Sequence, residues 1–163
     1  MIKIVLLGAG NIAKHLYEAF AASPQVEILQ VYNRNLKNID FTKAETAITN
    51  KLSDLAKADI YLLCTSDNSL SDLSTQLPFE GRLVAHVSGG MDMDVLSGKN
   101  RRSVFYPLQT FNKNTAADFT EIPICVEAEK KADANFLMDL ANLISENTHF
   151  IDSSQRAQIH IAA

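Results

Sequence analysis

Short apolar runs and helically spaced apolar residues take turns along this chain of 163 residues. Ile2 to Leu7 is an apolar run of the kind that fills a strand buried on both faces. From Asn11 to about Ala22, Ile12, Leu16, Ala19 and Phe20 share one face of a helix. Ser23-Pro24 ends that helix, because the residue before proline is pushed out of helical space. Val26 to Tyr32 reads as a second strand. Leu36 to Asn50 is less regular, with short strands expected within Ile39 to Thr42 and Thr46 to Thr49, and a short helix at Leu52 to Ala58. Asp59 to Cys64 is again a buried strand.

Asp67 is placed to cap a helix with Leu70, Leu73 and Leu77 along one side, and Pro78 stops it. Arg82 to Val87 is the next strand, and a short helix through Val95 and Leu96 is expected to close at Gly98 in the left-handed conformation. Ser103 to Pro107 and Ile122 to Glu127 follow as extended segments. A helix from about Glu129 to Ser145 turns Phe136, Leu140, Leu143 and Ile144 to the core, and His149 to Ile151 is short and extended. Strands alternating with helices imply an α/β fold, a doubly wound, mostly parallel sheet with helices on both faces.

Residues 1–151 read as one domain with no internal repeat or linker. Asp152, Ser153 and Ser154 offer caps for a last helix, but residues 152–163 end on apolar positions without a stop signal. The expectation is the start of a truncated C-terminal helix, with a helical domain to follow.

The junction of the first strand and helix carries the chemistry. Gly8-Ala9-Gly10-Asn11-Ile12-Ala13 is G-x-G-x-x-A between a strand and a helix, the context in which the pattern binds dinucleotides. Gly8 permits the turn, Gly10 lets a pyrophosphate approach the backbone, and Ala13 lets helix and strand pack closely. The helix N-terminus then presents free N–H groups to the phosphates. The fold expected is therefore Rossmann-type.

Ligands of such sheets lie beyond the carboxyl ends of the strands. Four of those ends are rich in small or polar residues: Gly8 to Asn11, Asn33-Arg34, Cys64-Thr65-Ser66-Asp67, and His86 to Gly90. Sites for NAD usually place an acid at the second of these, roughly 20 residues past the glycines. Here Asn33 and Arg34 stand instead, an amide and a guanidinium that suit a 2′-phosphate, so NADP is favoured over NAD. The missing acid also argues against S-adenosylmethionine.

Ser88, Gly89 and Gly90 offer a hydroxyl and backbone N–H groups to a substrate carboxylate or to the nicotinamide amide. His86 and Ser88 are the catalytic candidates, His86 for proton transfer unless it is a satisfied core histidine. Tyr106 to Phe111 sets donors beside aromatic rings, either as site residues or as an aromatic plug at a sheet edge. His15 and His149 read as surface or packing residues.

Composition narrows the classes. The chain is 47% hydrophobic and 21% charged, with a net charge of −4, which suits a globular protein and argues against a nucleic-acid surface. Cys64 and Cys125 lie in apolar runs and read as buried free thiols, and no cluster has metal-ligand spacing. No secretory signal or membrane span is read, so the cytoplasm is expected.

The segments GAGNIA, VYNR, LLCTSDNSLSDL, AHVSGG and FYPLQTF together resemble bacterial Rossmann-like NADP oxidoreductases with a C-terminal helical domain of unknown function. These are relatives of pyrroline-5-carboxylate reductase and of deazaflavin-dependent NADP oxidoreductases. The resemblance implies that Gly8, Gly10, Asn11 and Ile12 contact the pyrophosphate. It assigns Asn33 and Arg34 to the adenosine ribose or its 2′-phosphate, and Thr65, Ser66 and Asp67 to the nicotinamide side, with Cys64 a further cofactor-binding candidate.

Substrate contacts at Ser88, Gly89 and Gly90 are implied by similar 3-hydroxyacid dehydrogenases, whose catalytic lysine lies on a later helix. The implied function is hydride transfer between NADP(H) and a small imine, keto or hydroxy compound, in a homodimer formed by C-terminal helices. Where the group commonly has histidine before the proline of P-L-Q-T-F, this chain has Tyr106. A non-catalytic NADP(H)-binding sensor or scaffold is the alternative.

Overall fold

The computed structural model describes residues 1–112 and 114–162. Strand β1 (Ile2–Leu7) leads into helix α1 (Asn11–Ala21), then β2 (Val26–Tyr32), β3 (Ala47–Thr49) and β4 (Ile60–Leu63). Helix α2 (Leu70–Gln76) precedes β5 (Leu83–His86), β6 (Arg101–Pro107) and β7 (Ile124–Ala128). Helix α3 (Lys131–Asn142), β8 (Thr148–Phe150) and helix α4 (Ser153–Ala162) complete the chain.

One eight-stranded sheet runs in the order β3-β2-β1-β4-β5-β6-β7-β8. Neighbours are parallel except β6 and β7, so the first six strands follow the Rossmann order and the last two run against them. Chain order reverses between β1 and β4, and that switch point opens a crevice at the carboxyl ends of the strands.

Alternation along the central strands builds a core on each face. Ile4, Leu6, Ile60 and Leu62 point to the α1 side, where Leu16, Phe20, Leu137 and Leu140 meet them. Val5, Leu7, Tyr61 and Leu63 point the other way, to Leu70 at the start of α2 and Leu77 just past its end. The doubly wound, mostly parallel α/β reading holds.

Several local expectations need correction. Asp67 does not cap α2; it opens a 3-10 turn, Asp67–Ser69, that runs straight into the helix. Gly98 is not a left-handed cap, because the turn at Met93–Val95 already ends at Leu96, and the glycines at positive φ are Gly8 and Gly81. Ile39 to Thr42 forms no strand: Asn35 caps a 3-10 turn at Leu36–Asn38, and Ile39 then drops into the core. Leu52–Asp54 is a single 3-10 turn rather than a helix to Ala58, since the Tyr61 hydroxyl accepts from the Ala58 N–H and donates to the Ala56 carbonyl. Leu140 is fully buried as expected, together with Leu137 and Ala141, whereas Phe136 on α3 and Leu143 and Ile144 just past its end are half-buried against the core.

Candidate functional site

The first turn after β1 is fixed by crowding. A Cβ at Gly8 would stand 2.7 Å from the Cys64 carbonyl oxygen, and its φ of 123° lies where side chains are strained. Gly10 differs: it caps α1 at φ −81°, and a Cβ there would meet no atom within 4 Å. The space at the helix mouth is therefore open. Among the described residues no side chain caps α1 and no acid sits in its first turn, so its amide groups and positive dipole end face the crevice unmasked.

Two clefts flank this mouth. One, of about 700 Å³, runs from Gly8 and Gly10 past Asn33 and Arg34 to Ser66 and the Asp72 side of α2. Asn33 spends its amide donor on the Asn35 carbonyl at 2.9 Å, which fixes the turn after β2. Arg34 is exposed and forms no ion pair among the described residues, so its guanidinium is available at the cleft wall.

The second cleft, about 680 Å³, is bounded by Asn11, Ile12, Asp67, Ser88, Gly89, Tyr106, Phe111 and His160. Thr65 lines both. Its hydroxyl is buried and has no hydrogen-bond partner among the described residues, so it can bond a molecule in either cleft. The two clefts leave room for a dinucleotide: the Gly10 mouth is open, Arg34 stands on the wall of one cleft, and Thr65 lies between the two. Cys64 offers only its backbone there, because burial pushes its thiol up to about 12 and Sγ donates to the Leu62 carbonyl.

The four strand ends singled out from sequence do converge on this rim, but they play unlike parts. His86 is fully buried and both ring nitrogens are engaged. Nδ1 accepts the Ser88 N–H at 3.0 Å, so the remaining proton sits on Nε2 and is donated to the Asp92 carbonyl at 3.1 Å. Burial lowers its pKa to about 4, which keeps the ring neutral. Ser88 Oγ accepts from the Gly90 N–H, tightening the turn.

Gly89 lies beneath an aromatic pair: a Cβ there would be 2.5 Å from Tyr106 Cζ and 2.6 Å from His160 Nδ1. The Tyr106–Phe111 segment is not an edge plug, since β7 and β8 extend the sheet beyond β6. Asn11 donates to the Phe111 carbonyl, and His15 is buried against the Phe111 ring with Nε2 2.6 Å from the Asn112 carbonyl. His149 is exposed and bonded to Asn147.

Sequence reasoning passed over Arg156 and His160. Asp152 and Gln155 form a reciprocal capping box, Oδ1 accepting the Gln155 N–H and Oε1 accepting the Asp152 N–H. That start sets Arg156 and His160 four residues apart on one helix face. Arg156 is 1% exposed, donating to Glu127 at 3.1 Å and to the Met91 carbonyl. Glu127 also accepts the N–H and hydroxyl of Ser153. The signal was the D-x-x-Q spacing followed by a cation, but its partner Glu127 lies on a distant strand. Among the described residues no group of His, Cys, Asp and Glu could hold a metal, and no helix is long and apolar enough to cross a membrane.

Comparison with known proteins agrees with this geometry. The family described as NADP oxidoreductase, coenzyme F420-dependent, matches residues 3–88. A provisionally assigned NADP oxidoreductase from Bacteroides fragilis superposes with TM-score 0.84 and 32% identity over 99% of this chain. The chain spans 64% of that protein's length. Pyrroline carboxylate reductase from Plasmodium falciparum, solved with NADP bound, shares the fold at TM-score 0.72 and 15% identity, over 93% of this chain and 58% of its own. A pyrroline-5-carboxylate reductase from Coxiella burnetii does so at 0.70 and 18%, over 95% and 61%. No curated protein matches the sequence.

Proposed function

Because this chain belongs to the family of NADP oxidoreductases described as coenzyme F420-dependent, we propose that it binds NADP(H) across the two clefts and serves hydride transfer to or from a small imine, keto or hydroxy compound. The cofactor, when bound, supplies the hydride. Gly8, Gly10, Asn11 and Ile12 hold the pyrophosphate through backbone groups at the α1 mouth. Arg34, with Asn33 shaping its turn, takes the 2′-phosphate. The backbone of Cys64 and the side chains of Thr65, Ser66 and Asp67 orient the nicotinamide side, with the Thr65 hydroxyl gaining the partner it lacks. Ser88, Gly89 and Gly90 border the substrate space, while His86 holds their turn in shape as a neutral ring.

The observation that carries this reading is the unmasked α1 mouth beside an exposed Arg34, which forms no ion pair among the described residues, on the wall of the adjoining cleft. On this reading residues 1–151 are the nucleotide-binding domain, and α4 packs onto it through Arg156. A homodimer through C-terminal helices rests on the reductase resemblance, and the cytoplasm on two buried, unpaired thiols. Calorimetry with NADPH, NADH and S-adenosylmethionine in parallel tests the cofactor. Tightest binding of NADPH is expected, and preference for either of the others overturns it. Turnover of NADPH against imines, ketoacids and a deazaflavin then identifies the substrate.

A further inference from the structure

We propose that Tyr106 and His160 are the proton-donating pair of this site, Tyr106 protonating the substrate and His160 reprotonating Tyr106. The inference deepens the hydride-transfer reading and rests on it. Tyr106 Oη lies 3.0 Å from His160 Nδ1, with the two rings edge-on at 73°. Both line the cleft that also holds Asn11, Thr65, Asp67 and Ser88. His86, the histidine nearest in sequence, has no nitrogen to spare.

The pair is held from three sides. Tyr106 is fixed by its place in β6, opposite Cys125 on β7. His160 is fixed by α4, whose Arg156, one turn earlier, is locked to Glu127 and the Met91 carbonyl. Gly89 makes the approach possible, because any larger residue would occupy the space of both rings. This is more structure than an exposed histidine needs for packing.

The exposures of the two groups divide the labour. Tyr106 is 7% exposed, and burial raises its pKa, so the phenol reaches the substrate protonated. His160 is exposed and can recharge from water. In the reduction, the substrate carbon accepts the hydride that NADPH supplies, and the C=O or C=N π pair moves onto the heteroatom. That atom takes the Tyr106 hydroxyl proton. The phenolate oxygen then takes the Nδ1 proton of the His160 imidazolium, leaving neutral imidazole with its proton on Nε2, and solvent restores the second proton. The substrate gains two electrons and NADPH loses two. Asp67 from the turn after β4, Cys125 from β7 and Arg156 from α4 are the other ionisable groups around the pair.

The test is carbon-13 NMR of the intact protein, labelled at tyrosine Cζ and histidine Cε1, beside NADPH titrations of wild type, Tyr106→Phe and His160→Asn. The expected result is a Tyr106 signal that changes together with the His160 signal across a pH series, and loses that change in His160→Asn. The NADPH titrations set the concentration at which each protein is saturated, so that turnover is compared between fully loaded proteins. Single-turnover oxidation of bound NADPH by an accepted substrate should slow about 100-fold or more in Tyr106→Phe. A Tyr106 signal indifferent to His160, or Tyr106→Phe turnover within threefold of wild type, overturns the pair and leaves the cofactor reading standing. Wild type that binds no NADPH overturns the cofactor reading, and the acid role with it.

Discussion

Gly8 and Cys64 are in backbone contact: the position a Cβ would take on Gly8 is 2.7 Å from the Cys64 carbonyl oxygen. Gly10, two residues on, faces open space. One glycine serves the fold and the other serves a ligand, and substitution should separate them. Gly8→Ala is expected to destabilise by about 2 kcal/mol or more, combining strain at positive φ with the clash. Gly10→Ala is expected to keep its stability, measured by urea denaturation, while losing about tenfold or more in NADPH affinity by calorimetry.

His86 makes stability depend on pH. Its folded pKa of about 4 lies below the ordinary value of 6.5, so the unfolded chain binds the extra proton first as pH falls. Its contribution is intact above 6.5 and is lost progressively between 6.5 and 4, amounting to about 3 kcal/mol at the low end. Denaturation midpoints across that range should fall with pH in wild type. They should fall less in His86→Gln, which removes the titrating group.

Arg156 fastens α4 to the sheet. Arg156→Met leaves the Glu127 carboxylate and the Met91 carbonyl without their cation, a loss on the order of 3 kcal/mol. Arg156→Met combined with Glu127→Leu should recover part of it, because no unpaired carboxylate then remains. Limited proteolysis reads the same event locally, with cleavage after residue 152 faster in the single variant.

The sheet was legible because its central strands β1, β4 and β5 are largely apolar and its glycine turn has a fixed spacing. β2 and β3 fall where the patterning places them, and so does the start of α1. Local chemistry misled where two partners compete. Asp67 has the side chain of a cap, yet the chain enters α2 through a 3-10 turn that needs none. Gly98 looked like a stop signal, but the turn had already ended at Leu96.

In the site, the strand ends were readable and their roles less so. His86 at a strand end looks the same in sequence whether its ring faces a ligand or an Asp92 carbonyl. The Tyr106–His160 bond joins residues 54 apart in the chain, across a fold that no local pattern specifies. Arg156 was hidden for the same reason, its carboxylate partner lying 29 residues earlier on β7.

The account turns on Arg34 receiving a 2′-phosphate, and calorimetry of wild type and Arg34→Ala with NADPH and NADH tests that directly. A charge-assisted contact of about 1.5–3 kcal/mol predicts a loss of roughly 10- to 100-fold for NADPH. NADH, which lacks the phosphate, should change less than twofold. Equal losses for both cofactors, or no loss for either, would contradict the assignment.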